Sequence, residues 1–116
     1  MGDVWITDLR HFLEPDGDLG PKSGPARSIA AYLASIVGWV TAAGVAGHTR
    51  TNVFCRRRPD RRPCEGEIRA GFEDSETIGW ECPVCGDRGT IAGWSGTRWD
   101  RRIGAREAIR EGRNDA

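Results

Sequence analysis

The residues of this chain whose type and spacing bear chemistry are its four cysteines, Cys55, Cys64, Cys82 and Cys85. They come as two pairs. Eight residues separate Cys55 from Cys64, seventeen follow, and two separate Cys82 from Cys85. Thiolates are soft donors, and four of them complete the tetrahedral shell that Zn²⁺ takes in a structural site. In Cys82-Pro83-Val84-Cys85-Gly86 the short gap lets one turn aim both sulfurs at one ion, with backbone N–H groups turned toward them. Pro83 fixes one φ, and Gly86 permits an exit at positive φ. The wider first pair does not fit one such turn. It fits a hairpin whose two strands each bring a cysteine to the same end, joined by the polar, proline-broken loop Arg56–Pro63.

Two other outcomes stay open for these thiols. An even cysteine count in a short chain also suits a disulfide scaffold, and unligated core thiols are the third choice. Met1–Trp5 shows no basic leader followed by an apolar run, so a cytoplasmic location is expected, where disulfides are rare. A redox pair at Cys82 and Cys85 would need a strand-to-helix setting. Gly86-Asp87-Arg88-Gly89-Thr90-Ile91 reads instead as a turn into a strand. His48, close before Cys55, is a further ligand candidate that four cysteines leave without a place, and His11 is expected in solvent. A metal held by four thiolates keeps no open position for water. With no Ser–His–Asp set, phosphate-cradling glycine motif or His-Glu-x-x-His, the chain is expected to be no enzyme.

The elements that must position these ligands follow from periodicity. Thr77–Cys82 alternates apolar and polar, and Val53–Arg56, Cys64–Ala70 and Thr90–Trp94 complete a set of short antiparallel strands. Phe72–Glu76 reads as an acidic turn. So few strands bury little area, and a metal crosslink would supply stability the sheet lacks. Its loss is expected to unfold residues 53–94 and leave helical signal partly intact. Upstream, Leu9, Phe12 and Leu13 give a short helix one apolar face, with Thr7 or Asp8 as its cap. Asp16-Gly17-Asp18 lacks the spaced oxygens of a calcium loop and reads as a turn. The long helix candidate spans 26–46: Pro25 suits the first turn, and Ile29, Leu33, Ile36, Val37 and Val40 form a stripe at helical spacing. Ser28–Gly47 carries no charge and is long enough to cross a bilayer, but its large apolar residues gather on one side, as in a helix packed on a partner. No membrane association is therefore expected. Trp94 and Trp99 are expected in the core. These readings divide the chain into an N-terminal helical segment, 1–48, a metal-binding domain, 49–100, and a charged tail, 101–116, helical in part or disordered.

The region 53–94 resembles the zinc-ribbon group, in which two cysteine pairs at hairpin ends hold one zinc. The resemblance rests on Cys55, Cys64 and the Cys82–Gly86 knuckle. The wide first pair departs from the tight second knuckle usual in that group. What it implies is an α+β fold: a small antiparallel zinc-ribbon-like sheet packed with the long helix and a shorter one. It also implies a structural Zn²⁺ on Cys55, Cys64, Cys82 and Cys85, and a binding module rather than a catalyst, as in small bacterial ribbon proteins.

Charge divides the function classes. Seventeen basic and seventeen acidic residues cancel, so no global field points to nucleic acid or membrane. Locally, 50–64 is basic and 65–87 acidic. The first functional expectation is a protein-interaction or regulatory adaptor, self-associating or meeting a protein partner through helix 26–43 if its stripe exceeds what a small sheet covers. The alternative is a transcription-associated, nucleic-acid-binding module whose loop 56–62 offers Arg56, Arg57, Arg58, Arg61 and Arg62 to phosphates. Pairing of that loop with the acidic segment 65–81 would silence it.

Overall fold

A computed structural model describes residues 2–20, 24–56 and 62–102 of the 116-residue chain. The expected tail beyond residue 102 and Arg57, Arg58 and Arg61 lie outside the described residues. The fold is α+β, with one helix laid on a five-stranded mixed sheet. The strands are β1 (Val4–Asp8), β2 (Thr49–Phe54), β3 (Glu67–Phe72), β4 (Ile78–Glu81) and β5 (Arg88–Ala92), in the order β1-β5-β4-β3-β2. The helix α1 spans Pro25–Ala43.

Helix α1 begins where Pro25 needs no N–H partner and ends at Gly44, whose φ of 67° places it in the left-handed region while its N–H bonds the Val40 carbonyl at 2.8 Å. Its stripe is spent inside the chain. Leu33, Ile36, Val37 and Val40 are at most 2% exposed and share one core with Ile68, Ile78, Trp80, Ile91 and Trp94. By length and composition alone, α1 would also cross a membrane; here its apolar side lies across β2, β3 and β4. Tyr32 meets the Trp80 ring edge-on at 5.8 Å.

Two expectations are corrected. The sheet is not wholly antiparallel: β1 pairs in parallel with β5, Trp5 opposite Gly89 and Thr7 opposite Ile91. The segment 1–48 therefore contributes a strand as well as a helix, and the long connection that parallel neighbours need runs from β1 through α1 and the three antiparallel strands to β5. The expected shorter helix is a single 3₁₀ turn, Leu9–Phe12, started by Asp8, whose carboxylate accepts the Arg10 N–H at 2.9 Å. Leu9 is its only buried residue.

The remaining strands follow the expected hairpins with shifted ends. Strand β2 starts earlier, at Thr49, and changes register against β3 between Arg50 and Phe54. The buried Thr51 hydroxyl serves that irregularity, donating to the Ile68 carbonyl at 2.7 Å and accepting the Val53 N–H at 2.9 Å. Asp16-Gly17-Asp18 is a turn: Asp16 caps the Asp18 N–H at 3.0 Å, and Arg98 donates to the Asp16 carbonyl at 2.7 Å. After β5 the chain packs Trp94, fully buried, under the Arg102 guanidinium at 4.7 Å, and Trp99 lies against the core, half-buried.

Candidate metal centre

Each cysteine stands just beyond a strand end. Cys55 follows β2 and Cys64 precedes β3; Cys82 follows β4 and Cys85 precedes β5. Because β3 and β4 are neighbours in the sheet, the loops of both hairpins open at the same end. The wide gap between Cys55 and Cys64 thus spans a hairpin loop rather than a single turn.

All four Sγ atoms lie within 4.8 Å of one another. Cys55 Sγ stands 3.6 Å from Cys85 Sγ, and Cys64 Sγ 3.6 Å from Cys82 Sγ, so each close contact joins the two hairpins. A tetrahedral ion with metal–sulfur distances of about 2.3 Å sets its sulfurs about 3.8 Å apart. The donor set fits that group in number, type and spacing. A disulfide would bring two sulfurs to about 2.05 Å, and none of the four cysteines is in a disulfide. No other cluster of metal-ligating side chains occurs among the described residues.

Local backbone prepares the sulfurs for negative charge. Gly86 turns at a φ of 83° and returns its N–H to the Cys82 carbonyl at 2.9 Å, closing the knuckle. Burial pushes the Cys82 thiol up. The N–H groups of Cys85 and Val84, joined by the neighbouring Cys64 and Cys85 thiols, outweigh it and hold the thiol below its ordinary value. Burial dominates at Cys85 and raises it, although the Asp87 N–H works the other way. Gly66 closes the opposite side. It donates to Cys64 Sγ at 3.4 Å and accepts the Cys55 N–H at 2.9 Å, and a Cβ on it would overlap Cys82 Sγ.

Two features of the centre were not visible in the sequence. Asp87, only 7% exposed, accepts the Asp3 N–H at 2.8 Å, while the Asp3 carbonyl accepts the Arg88 N–H at 3.0 Å. These bonds tie the start of β1 to the exit of the knuckle. Gly2 lies so close to the backbone of Gly86 that a Cβ on it would collide there. Gly66, two residues after a ligand, carried a faint signal; Asp87 carried none beyond its place after Gly86.

His48 lies outside the cysteine cluster, and its Nδ1 faces Glu81 Oε1 at 3.3 Å. His11 is exposed, as expected. Of the arginine loop, Arg56 and Arg62 are exposed. Arg50, just upstream, pairs with Glu67 across the hairpin, so part of the local positive charge is neutralised within the chain. Tyr32 lies over the same end of the molecule. Burial chiefly raises its phenol well above the ordinary range, and negative charge on Cys55, Cys82, Asp87 and Cys85 adds to that.

Compared with known protein families, curated proteins and solved structures, the chain matches none.

Proposed function

We propose that this chain is a non-enzymatic zinc protein of the cytoplasm, similar to the zinc-ribbon group, in which Zn²⁺ on Cys55, Cys64, Cys82 and Cys85 ties two hairpin ends together and the folded domain serves as a protein-interaction or regulatory adaptor. The observation that carries the metal assignment is the convergence of four sulfurs from two hairpins within 4.8 Å. Four thiolates would fill the shell, leaving the metal a structural part with no substrate position. Elemental analysis of protein purified without added metal tests this. One zinc per chain is the expected result; none, or iron in its place, contradicts it.

What supports the adaptor role is apolar surface the fold leaves uncovered. Val4, Ile6 and Phe54 are 62%, 86% and 63% exposed. The stripe of helix 26–43, by contrast, is occupied by the chain's own sheet, so a partner meeting that helix would touch its outer residues. Light scattering after size exclusion separates self-association from a different partner: a dimer mass supports the first, and a clean monomer that binds no apolar dye counts against it.

The nucleic-acid reading keeps one specific support. Arg56 and Arg62 are exposed at the two ends of the loop, beside the metal ligands. Phosphate contacts give affinity that falls steeply with salt. Titration of labelled duplex DNA and single-stranded RNA separates the readings, since absence of binding even at low salt removes this one.

A further inference from the structure

Beside the metal end of the sheet, between β1 and α1, runs a cleft of about 370 Å³, within the size range of small-ligand sites. Three aromatic rings wall it: Trp5 from β1, Tyr32 from α1 and Trp80 from β4. The notch has a simple origin. Trp5, Gly89 and Trp80 stand side by side in register across three strands, so their side chains share one sheet face. Only Gly89 brings no side chain, and a Cβ there would collide with Trp5. A bare strip of backbone is therefore left between two indoles, with Tyr32 above.

Among the described residues the notch carries charge of both signs. Asp3 and Asp87 line it, Arg56 stands with them, and the four thiolates lie at the same end of the sheet. Four thiolates around a divalent ion still sum to a net negative centre. Aromatic faces and negative charge together attract a cation that has little hydration to lose. Trp80 is 3% exposed, and its buried Nε1–H has no hydrogen-bond partner among the described residues.

We propose that this cleft binds a small quaternary or methylated ammonium ion, held between the rings of Trp5, Tyr32 and Trp80 that line it, with Asp3 and Asp87 beside them. Arg56, the cation already beside the cleft, competes with such a ligand. The proposal goes beyond the zinc assignment, and counting metal in every variant keeps loss of ligand separate from loss of the metal centre.

The test is a titration of the metal-loaded chain with choline, followed by the indole N–H resonances of Trp5 and Trp80. Its uncharged isostere 3,3-dimethylbutanol is the matched probe. Choline is expected to shift both resonances saturably and to bind at least ~10-fold tighter than the isostere. Trp5→Ala, at a 39% exposed position, is expected to weaken choline at least ~10-fold while metal content and melting stay unchanged. Trp5→Phe restores part of the affinity, and Arg56→Ala strengthens binding. Absence of saturation by about 50 mM choline, equal binding of the isostere, or indifference to Trp5→Ala would overturn the proposal. Weaker choline binding in Arg56→Ala would overturn it too, by marking an anion site.

Discussion

Gly66 shows how a residue with no side chain shapes a metal centre. Its N–H faces one sulfur, its carbonyl holds the backbone of another ligand, and its missing Cβ leaves room for a third. Gly66→Ala is expected to lower metal affinity about 10–100-fold, the usual cost of disturbing an outer-shell partner. Competition against a chromophoric chelator measures it, and unchanged affinity would show that the site relaxes freely. Asp100 is the other residue with an outsized part. Burial opposes its ionisation, but Arg102 and the Gly96 N–H, at 3.0 Å, hold its carboxyl below the ordinary range. A carboxylate depressed in the fold stabilises above its unfolded value, near pH 4, and loses that contribution as pH falls through the folded value. Asp100→Asn is thus expected to cost about 1–3 kcal/mol in urea unfolding, and the gap at pH 5 should equal that at pH 7. At this scale the clustering of the four cysteines was legible from thiol type and spacing. Gly66 and Asp87 were not, because their roles depend on which backbone comes to lie beside them.

The elements divide by how local their causes are. Helix α1 was legible because its stripe, Pro25 and Gly44 all act within a few turns of chain. The hairpins were legible because alternation marks a half-buried strand. Strand β1 escaped notice. Val4-Trp5-Ile6 is a short apolar run, and what makes it a strand is β5, more than eighty residues later in sequence. As an edge strand it has one paired side, and its residues fare unequally. Ile6 is 86% exposed, whereas Ile91, in its partner strand, is fully buried. Ile91→Ala is expected to destabilise by about 2–5 kcal/mol, and Ile6→Ala by less than about 0.5 kcal/mol. Chemical denaturation of the two variants checks the contrast. Similar losses would mean that Ile6 is covered in solution, as self-association through β1 would require.

Helix and sheet of the whole molecule share one core. Leu33, Ile36, Val37 and Val40 from α1 pack in the same cluster as Cys55, Cys64 and Cys82. That continuity changes an expectation drawn from the sequence, in which loss of metal left the helix partly intact. A helix of 19 residues without its packing surface is marginal in water. Chelation, or Cys82→Ser, should therefore abolish the helical and near-ultraviolet circular dichroism together. A helical signal that outlives the aromatic one would show two independent units. The sequence could not reveal this coupling, since its division at residue 48 followed local pattern, while β1 and the Asp3–Asp87 bond join the two parts.

The proposed metal centre requires four sulfurs sharing one ion. X-ray absorption at the zinc edge, on protein purified without added metal, examines that shell directly. Four sulfur scatterers at about 2.3 Å are predicted. A shell containing nitrogen or oxygen, or a metal-free protein whose cysteines are joined as disulfides, would contradict it.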